Sequence, residues 1–157
     1  MGIEFMLSSN TTFLNNNVFD FVKYGINVDT SNNVTIDGNW VVAIFSRHLK
    51  LQSVGDPILG ILGCANYLND VCSEIHILNN VMAGVEAADG ADTSAYSVMP
   101  NDCGDTKNVV FKNNVAHSIN GYGAIIFRNG TSDSQLDCIE ASWFTAYKCS
   151  IAGIVSN

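Results

Sequence analysis

One short motif recurs along this chain and restricts its fold more than any other feature. It reads apolar, any residue, apolar, any residue, Asn or Gly, Asn, and then two mostly apolar residues. The four copies occupy residues 12–19, 34–41, 75–82 and 109–116. The first half alternates with period two, as a strand does when one face is buried, and Asn can then turn the chain because it tolerates left-handed backbone angles. A strand that turns at the same point in every copy predicts stacked, repeating coils.

The Asn residues that follow these strands are predicted to be the structural corners of the coils. They are Asn17, Asn39, Asn80 and Asn114. Asn17 and Asn39 are 22 residues apart, which fits one coil, whereas the next two intervals are 41 and 34 residues. The longer intervals need additional residues. We therefore expect inserted loops near 51–72, which contains cysteines, and near 89–107, which is acidic and contains Gly and Ser.

The predicted fold is an all-β, right-handed parallel β-helix with loop insertions, forming a single solenoid domain over residues 1–157. A weaker fifth unit begins at Ile139, with Ser142 in place of the Asn. A β-sandwich also contains short alternating strands, but nothing in a sandwich requires an Asn at the same point of several strands. One coil cannot bury its inward face without neighbours. We therefore expect a fragment of a longer solenoid, or one that associates through its ends, with other protein chains or flanking solenoid segments as partners.

The charge balance argues against two classes of partner. The formal net charge is -8 with only 7 Lys and Arg residues, whereas nucleic acids and anionic membranes attract a cationic surface. No apolar run approaches the roughly 20 residues that a membrane-spanning helix requires. We expect neither a nucleic-acid partner nor a membrane span in this chain.

The five cysteines are candidates for disulfides. Cys64 and Cys72 could close a short loop with a disulfide, and Cys138 and Cys149 could join adjacent coils. Cys103 would then have no disulfide partner. The alternative is that they are buried as small apolar side chains in a reduced core. No close Cys-x-x-Cys pair is present, so no zinc site is predicted.

Three sequons are candidates for N-glycosylation. Their acceptor residues are Asn10, Asn33 and Asn129. Together with the cysteines they favour an oxidising extracellular or luminal compartment. The alternative is chance, because a chain with 19 Asn residues produces sequons readily.

The second half of the chain resembles a known family. The stretch KNNVAHSINGYGA at 112–124, followed by FTAYKC at 144–149 and GIVS at 153–156, is similar to the β-helix repeat region of fibrocystin and fibrocystin-like proteins, including their protist relatives. NNVMAG at 79–84 is similar to the preceding unit of that family. The resemblance implies a structural or recognition module with no established catalytic role. It also implies that this module is part of a larger secreted or membrane-anchored protein, extracellular or at the cell surface, including cilia.

Parallel β-helices also host polysaccharide lyases and hydrolases, so a carbohydrate-active enzyme is the alternative function. A glycosidase needs two carboxylates facing one groove, about 5–10 Å apart. Asp105, Asp133 and Asp137 lie in predicted loops, and His117 follows an Asn corner. Their spacing is not specific, and the favoured interpretation is that the acids are solvated loop residues and His117 caps a turn.

A calcium site and a glycan-binding face are two further hypotheses. The acidic residues Asp89, Asp92, Asp102 and Asp105 could offer oxygen ligands to calcium, but they lack the spacing of an EF-hand. No other cofactor or metal is predicted. Glycans are candidate partners through stacking on Trp40, Trp143, Tyr122 and Tyr147. The two Trp residues occupy the position after a corner that favours the core, so Tyr122 is the one expected to be exposed.

Overall fold

The computed structural model describes residues 3–6, 9–19, 24–29, 31–42, 58–65, 73–85, 93–98, 109–126 and 139–156. In these residues the chain forms sixteen β-strands and no helix, so the all-β prediction is confirmed. The strands are β1 (Ile3–Met6), β2 (Ser9–Leu14), β3 (Asn17–Phe19), β4 (Tyr24–Asp29), β5 (Asn32–Asp37), β6 (Trp40–Val42), β7 (Ile58–Ala65), β8 (Ser73–Leu78), β9 (Val81–Ala83), β10 (Thr93–Val98), β11 (Val109–Lys112), β12 (Val115–Ile119), β13 (Tyr122–Ile126), β14 (Ile139–Ser142), β15 (Thr145–Cys149) and β16 (Ala152–Ser156).

Three parallel sheets arise because each strand pairs with the strand three places further along the chain. The first sheet has the order β1-β4-β7-β10-β13-β16, the second β2-β5-β8-β11-β14, and the third β3-β6-β9-β12-β15. We call one strand from each sheet, taken consecutively, a rung. Rung 1 is β1–β3, rung 2 is β4–β6, rung 3 is β7–β9, rung 4 is β10–β12 and rung 5 is β13–β15, while β16 begins a sixth. Successive rungs are therefore joined through parallel ladders in all three sheets.

The core is formed by apolar side chains that stay in register from rung to rung. In the second sheet two inward columns run through rungs 2 to 4, namely Val34, Ile75 and Val109 beside Ile36, Ile77 and Phe111. All six side chains are buried, whereas the residues that alternate with them are partly exposed. Full burial of such a side chain contributes roughly 1.5–3 kcal/mol. The period-two half of the repeated motif is thus the inward face of the second sheet.

Each of the two stretches predicted as inserted loops contains a strand of the first sheet. β7 lies within 51–72 and β10 lies within 89–107; the remainder of both stretches is outside the described residues. All six residues of β10 are buried. A rung needs a strand in every sheet because the backbone groups of its neighbours must be paired. The two long intervals between Asn corners therefore each include a first-sheet strand, as the short interval does with β4. In β10, Thr93, Ser94 and Ser97 hide the strand from a search for alternating apolar residues.

Candidate functional site

A buried ladder of Asn side chains holds the corner between the second and third sheets. Its members, one in each of rungs 1 to 4, are Asn16, Asn39, Asn80 and Asn114. The backbone N–H of Asn39 donates to Asn80 Oδ1 at 2.9 Å, and the N–H of Asn80 donates to Asn114 Oδ1 at 3.0 Å. The side-chain amides follow the same direction, with Asn39 Nδ2 3.0 Å from Asn80 Oδ1. The Oδ1 atoms of Asn39, Asn80 and Asn114 therefore each accept two hydrogen bonds from the preceding rung.

Ladder amides also donate one Nδ2 hydrogen to a backbone carbonyl. Asn80 Nδ2 donates to the Ile36 carbonyl oxygen at 2.9 Å, and Asn114 Nδ2 donates to the Ile77 carbonyl oxygen at 2.8 Å. Asn39, Asn80 and Asn114 have no exposed surface. An unpaired polar group at such a position would cost about 1–3 kcal/mol, so the corner requires the donor and acceptor pattern of Asn.

The predicted corner residues need two corrections. Asn17 is the first residue of β3 and pairs with Trp40, while Asn16 is the counterpart of Asn39. The left-handed backbone angle belongs to the residue before each ladder Asn and not to Asn39, Asn80 or Asn114. These left-handed residues are Asn15 (φ 53°), Gly38 (φ 66°), Asn79 (φ 53°) and Asn113 (φ 55°). At the same corner of rung 5 the left-handed residue is Trp143 (φ 55°), which precedes Phe144. A pattern centred on Asn-Asn does not say which member turns the chain, because both types of position suit Asn.

The left-handed residues form an outer column that is exposed at Asn15, Asn79 and Asn113. Asn113 Nδ2 donates to Asn79 Oδ1 at 2.7 Å, and Asn79 Nδ2 donates to Asp37 Oδ1 at 2.6 Å. Rung 2 has Gly38 at this position, where glycine adopts the left-handed angle (φ 66°) without strain. The column is therefore a row of amides, fixed by one another and open to solvent.

The buried Asn ladder and the outer row of amides both end before rung 5, where Trp143 and Phe144 replace the Asn pair. Ser142, expected to stand in for the corner Asn, instead pairs with Lys112 at the end of a second-sheet strand. The Phe144 ring packs at 5.9 Å from the Tyr96 ring and 5.5 Å from the Phe111 ring. Aromatic packing thus replaces amide hydrogen bonding at this corner.

Tyr96 connects this aromatic cluster to the backbone. Its hydroxyl oxygen lies 2.8 Å from the Asn80 carbonyl oxygen and 2.9 Å from the Val115 carbonyl oxygen, so its single hydrogen is donated to one of them or shared between the two. Complete burial raises the pKa of Tyr96 well above its ordinary value. The phenol is therefore a neutral structural donor.

Large aromatic side chains lie outside the core, contrary to the prediction for the two Trp residues. Trp143 is 83% exposed and Trp40 is 58% exposed, whereas Tyr122, the expected exposed ring, is partly buried. Trp40 faces outward because Val41, the next residue of the same strand, faces the core. Trp143 occupies the outer column, where side chains leave the corner.

The outward face of the third sheet carries further aromatic residues. Phe19 and Tyr147 are about half exposed. The His117 and Tyr147 rings are stacked with centroids 5.1 Å apart and an interplanar angle of 9°. His117 Nδ1 lies 3.3 Å from Ser118 Oγ. The candidate catalytic acids Asp105, Asp133 and Asp137 lie outside the described residues, as do Asp89, Asp92 and Asp102, the other candidate calcium ligands.

Two of the three sequon residues have a structural role. Asn10 and Asn33 are exposed, have left-handed backbone angles (φ 53° and 52°), and lie on adjacent rungs with Asn33 Nδ2 donating to Asn10 Oδ1 at 2.6 Å. Glu74 continues this column in rung 3 with φ 54°. Asn129 is outside the described residues. The left-handed backbone accounts for Asn at positions 10 and 33 whether or not these residues are glycosylated.

Cys149 is a free, partly buried thiol. Burial raises its pKa, and a hydrogen bond with the Ile119 backbone opposes the rise. Its predicted partner, Cys138, and the residues Cys72 and Cys103 lie outside the described part of the chain, as does the side chain of Cys64.

The fold and its Asn-lined corner define this chain as a parallel-sheet repeat protein. No match was found in a scan against protein-family models or in searches of curated proteins and of solved structures. Among the described residues, no group of three or more His, Cys, Asp or Glu side chains could hold a metal ion. The same part of the chain contains no helix with the length and hydropathy of a membrane span.

Proposed function

We propose that this chain is a stretch of right-handed parallel β-helix that serves as a non-catalytic recognition module of an extracellular, fibrocystin-like protein. The helical path is supported by the strand order, since each sheet takes every third strand and the pairing is parallel. A right-handed path is supported by a general rule, because crossover connections between parallel strands of one sheet are right-handed in about 98% of cases.

The observation that carries the recognition role is the set of large aromatic side chains presented outward by a rigid frame. Trp40 and Phe19 are on the outer face of the third sheet at the first two rungs, Tyr147 is on that face at rung 5, and Trp143 is at the adjoining corner. Exposed aromatic residues of this size are typical of interaction sites. Asn hydrogen bonds at the corner hold the backbone of rungs 1 to 4, and packing of Phe144 on Tyr96 and Phe111 holds it in rung 5. A backbone held in this way suits a binding surface.

The extracellular placement and the non-catalytic character rest on the resemblance of the second half to the fibrocystin family. Asn129 and the cysteines carry the compartment argument, since Asn10 and Asn33 have the structural explanation given above. A membrane-impermeant biotinylation reagent applied to intact cells that express the full-length native protein tests the placement. Labelled lysines in peptides from this chain, such as Lys112 or Lys148, are expected, with mass shifts at a sequon after deglycosylation. Labelling only after the cells are lysed would overturn the extracellular assignment.

A further inference from the structure

We propose that the corner between the second and third sheets binds a neutral carbohydrate chain, which lies along the outer column between Trp40 and Trp143. This inference rests on the recognition role proposed above and names its ligand class. The binding surface, here called the corner ridge, consists of Trp40, Asn79, Asn113 and Trp143, with Asp37 beside it.

Trp143 is the residue that most needs a functional explanation. It has a left-handed backbone (φ 55°), which is disfavoured for a bulky L-residue, and 83% of its surface is exposed. The other positions of the outer column hold Asn or Gly, which adopt this conformation easily. Trp143 therefore combines a strained backbone with an exposed large aromatic ring. Residues with strained backbone are concentrated at functional sites such as ligand-binding sites.

The spacing of the two Trp residues suits an extended oligosaccharide. Trp40 is in rung 2 and Trp143 follows the second-sheet strand of rung 5, so three strand spacings separate them, or roughly 14 Å along the stack. The exposed amides of Asn79 and Asn113 lie in the two rungs between them. Their ladder bonds use one Nδ2 hydrogen each, so a second donor on each amide remains for a ligand hydroxyl. Amides fixed in this way lose little freedom on binding.

The charges beside the corner ridge favour a neutral ligand. The carboxylate of Asp37 ends the amide row, and the nearby Lys112 is ion-paired with Glu140. The chain as a whole has a formal net charge of -8. An anionic glycan would therefore be repelled, whereas a neutral pyranose offers an apolar C–H face to the Trp rings and hydroxyl groups to the amides.

The size of the corner ridge argues against a second protein copy as its occupant. A stable protein interface buries about 800 Å² on each partner. A ridge roughly 14 Å long and one side chain wide presents much less. Two copies would also each contribute a charge of -8.

The test is a titration of the purified chain with cellohexaose, laminarihexaose and mannohexaose, in which binding is monitored by Trp fluorescence and by isothermal calorimetry. Saturable binding of at least one hexasaccharide is expected. Trp143→Ala and Trp40→Ala should each weaken it by about tenfold, as removal of an aromatic stacking partner does. Ile151→Ala is the matched control, because Ile151 is 60% exposed but lies between β15 and β16, at a different corner of the stack. This variant should bind as the parent does.

A second variant separates binding from folding. Trp143→Asn gives the outer column the residue that tolerates its backbone, so we expect binding to fall as in Trp143→Ala while the melting temperature rises by about 2–4 °C. Absence of binding to all three hexasaccharides, or equal affinity of parent and both Trp→Ala variants, would overturn the carbohydrate proposal. A lower melting temperature for Trp143→Asn would also overturn it, because Trp143 would then have a structural role. The recognition module itself is tested separately by surface biotinylation, so either proposal can fail alone.

Discussion

The corner between the second and third sheets is built differently in rungs 2 to 4 and in rung 5. In rungs 2 to 4 a left-handed Gly or Asn precedes a buried Asn, whose Oδ1 accepts hydrogen bonds from the rung before it. In rung 5 the pair is Trp143 and Phe144, and the Phe144 ring packs on Tyr96 and Phe111. One backbone path can thus be held by a polar ladder or by an aromatic core. The polar ladder depends on each following rung for its acceptor, whereas the aromatic corner depends on packing.

The largest expected effect comes from breaking the polar ladder at its centre. Asn80→Ala removes the acceptor of the Asn39 N–H and Nδ2 groups and the donor to the Ile36 carbonyl. Because these groups are buried, the free energy of unfolding should fall by roughly 3–5 kcal/mol in urea denaturation. Asn17→Ala is the control, since Asn17 is exposed and outside the ladder, and it should cost less than about 0.5 kcal/mol. Similar losses in both variants would contradict the ladder as the source of stability.

A smaller loss is expected when the aromatic corner is broken. Phe144→Ala removes a partly buried ring from the cluster with Tyr96 and Phe111, and should lower the free energy of unfolding by about 2 kcal/mol. Phe144→Asn should restore only part of this loss, because the new Oδ1 could accept hydrogen bonds from Asn114, as Asn114 does from Asn80, whereas the ring packing is lost. Recovery of parental stability in Phe144→Asn, measured by the urea midpoint, would show that the two corners are interchangeable.

Alkaline pH should weaken the aromatic corner selectively. The pKa of Tyr96 is raised by burial, so the folded state keeps a proton that the unfolded chain releases above its ordinary pKa of 10.0. The contribution of Tyr96 is therefore complete below pH 10 and decreases above it, by about 1.4 kcal/mol per pH unit until the folded pKa is reached. Urea midpoints of the parent and of Tyr96→Phe are to be compared at pH 8, 10 and 11, because the difference between them isolates the effect of Tyr96 ionisation on stability. A difference that stays constant across the three pH values would refute it.

The smallest effect concerns the outer column. Asn113→Ala places a residue with a Cβ but no amide at φ 55°, which should cost about 1–2 kcal/mol. Asn113→Gly should cost less, because Gly adopts the left-handed conformation without strain. If Ala proved as stable as Gly in thermal unfolding, the left-handed backbone would not be the reason for Asn in this column.

Sequence patterns were sufficient for the strands of the second sheet and for the existence of an Asn corner. The period-two alternation of 34–37, 75–78 and 109–112 appears directly as buried columns. β10 was missed, since its sequence TSAYSV has no apolar alternation, although it is a fully buried strand paired with β7 and β13 in the first sheet. The exposure of Trp40 and Trp143 was also missed. An apolar residue after a corner is compatible with either face until the strand register is known.

The amino-acid sequence by itself determined the repeat, the all-β class and the need for Asn at the turns, because these depend on local periodicity and on backbone angles that few residues tolerate. Only the tertiary structure decided which Asn of each pair is buried and which turns the chain, and that Asn16 and not Asn17 joins the ladder. It also decided that rung 5 exchanges the Asn pair for an exposed Trp143 and a packed Phe144. Those outcomes depend on what lies one rung above and below, at sequence separations of 23 to 41 residues, where local patterns carry no information.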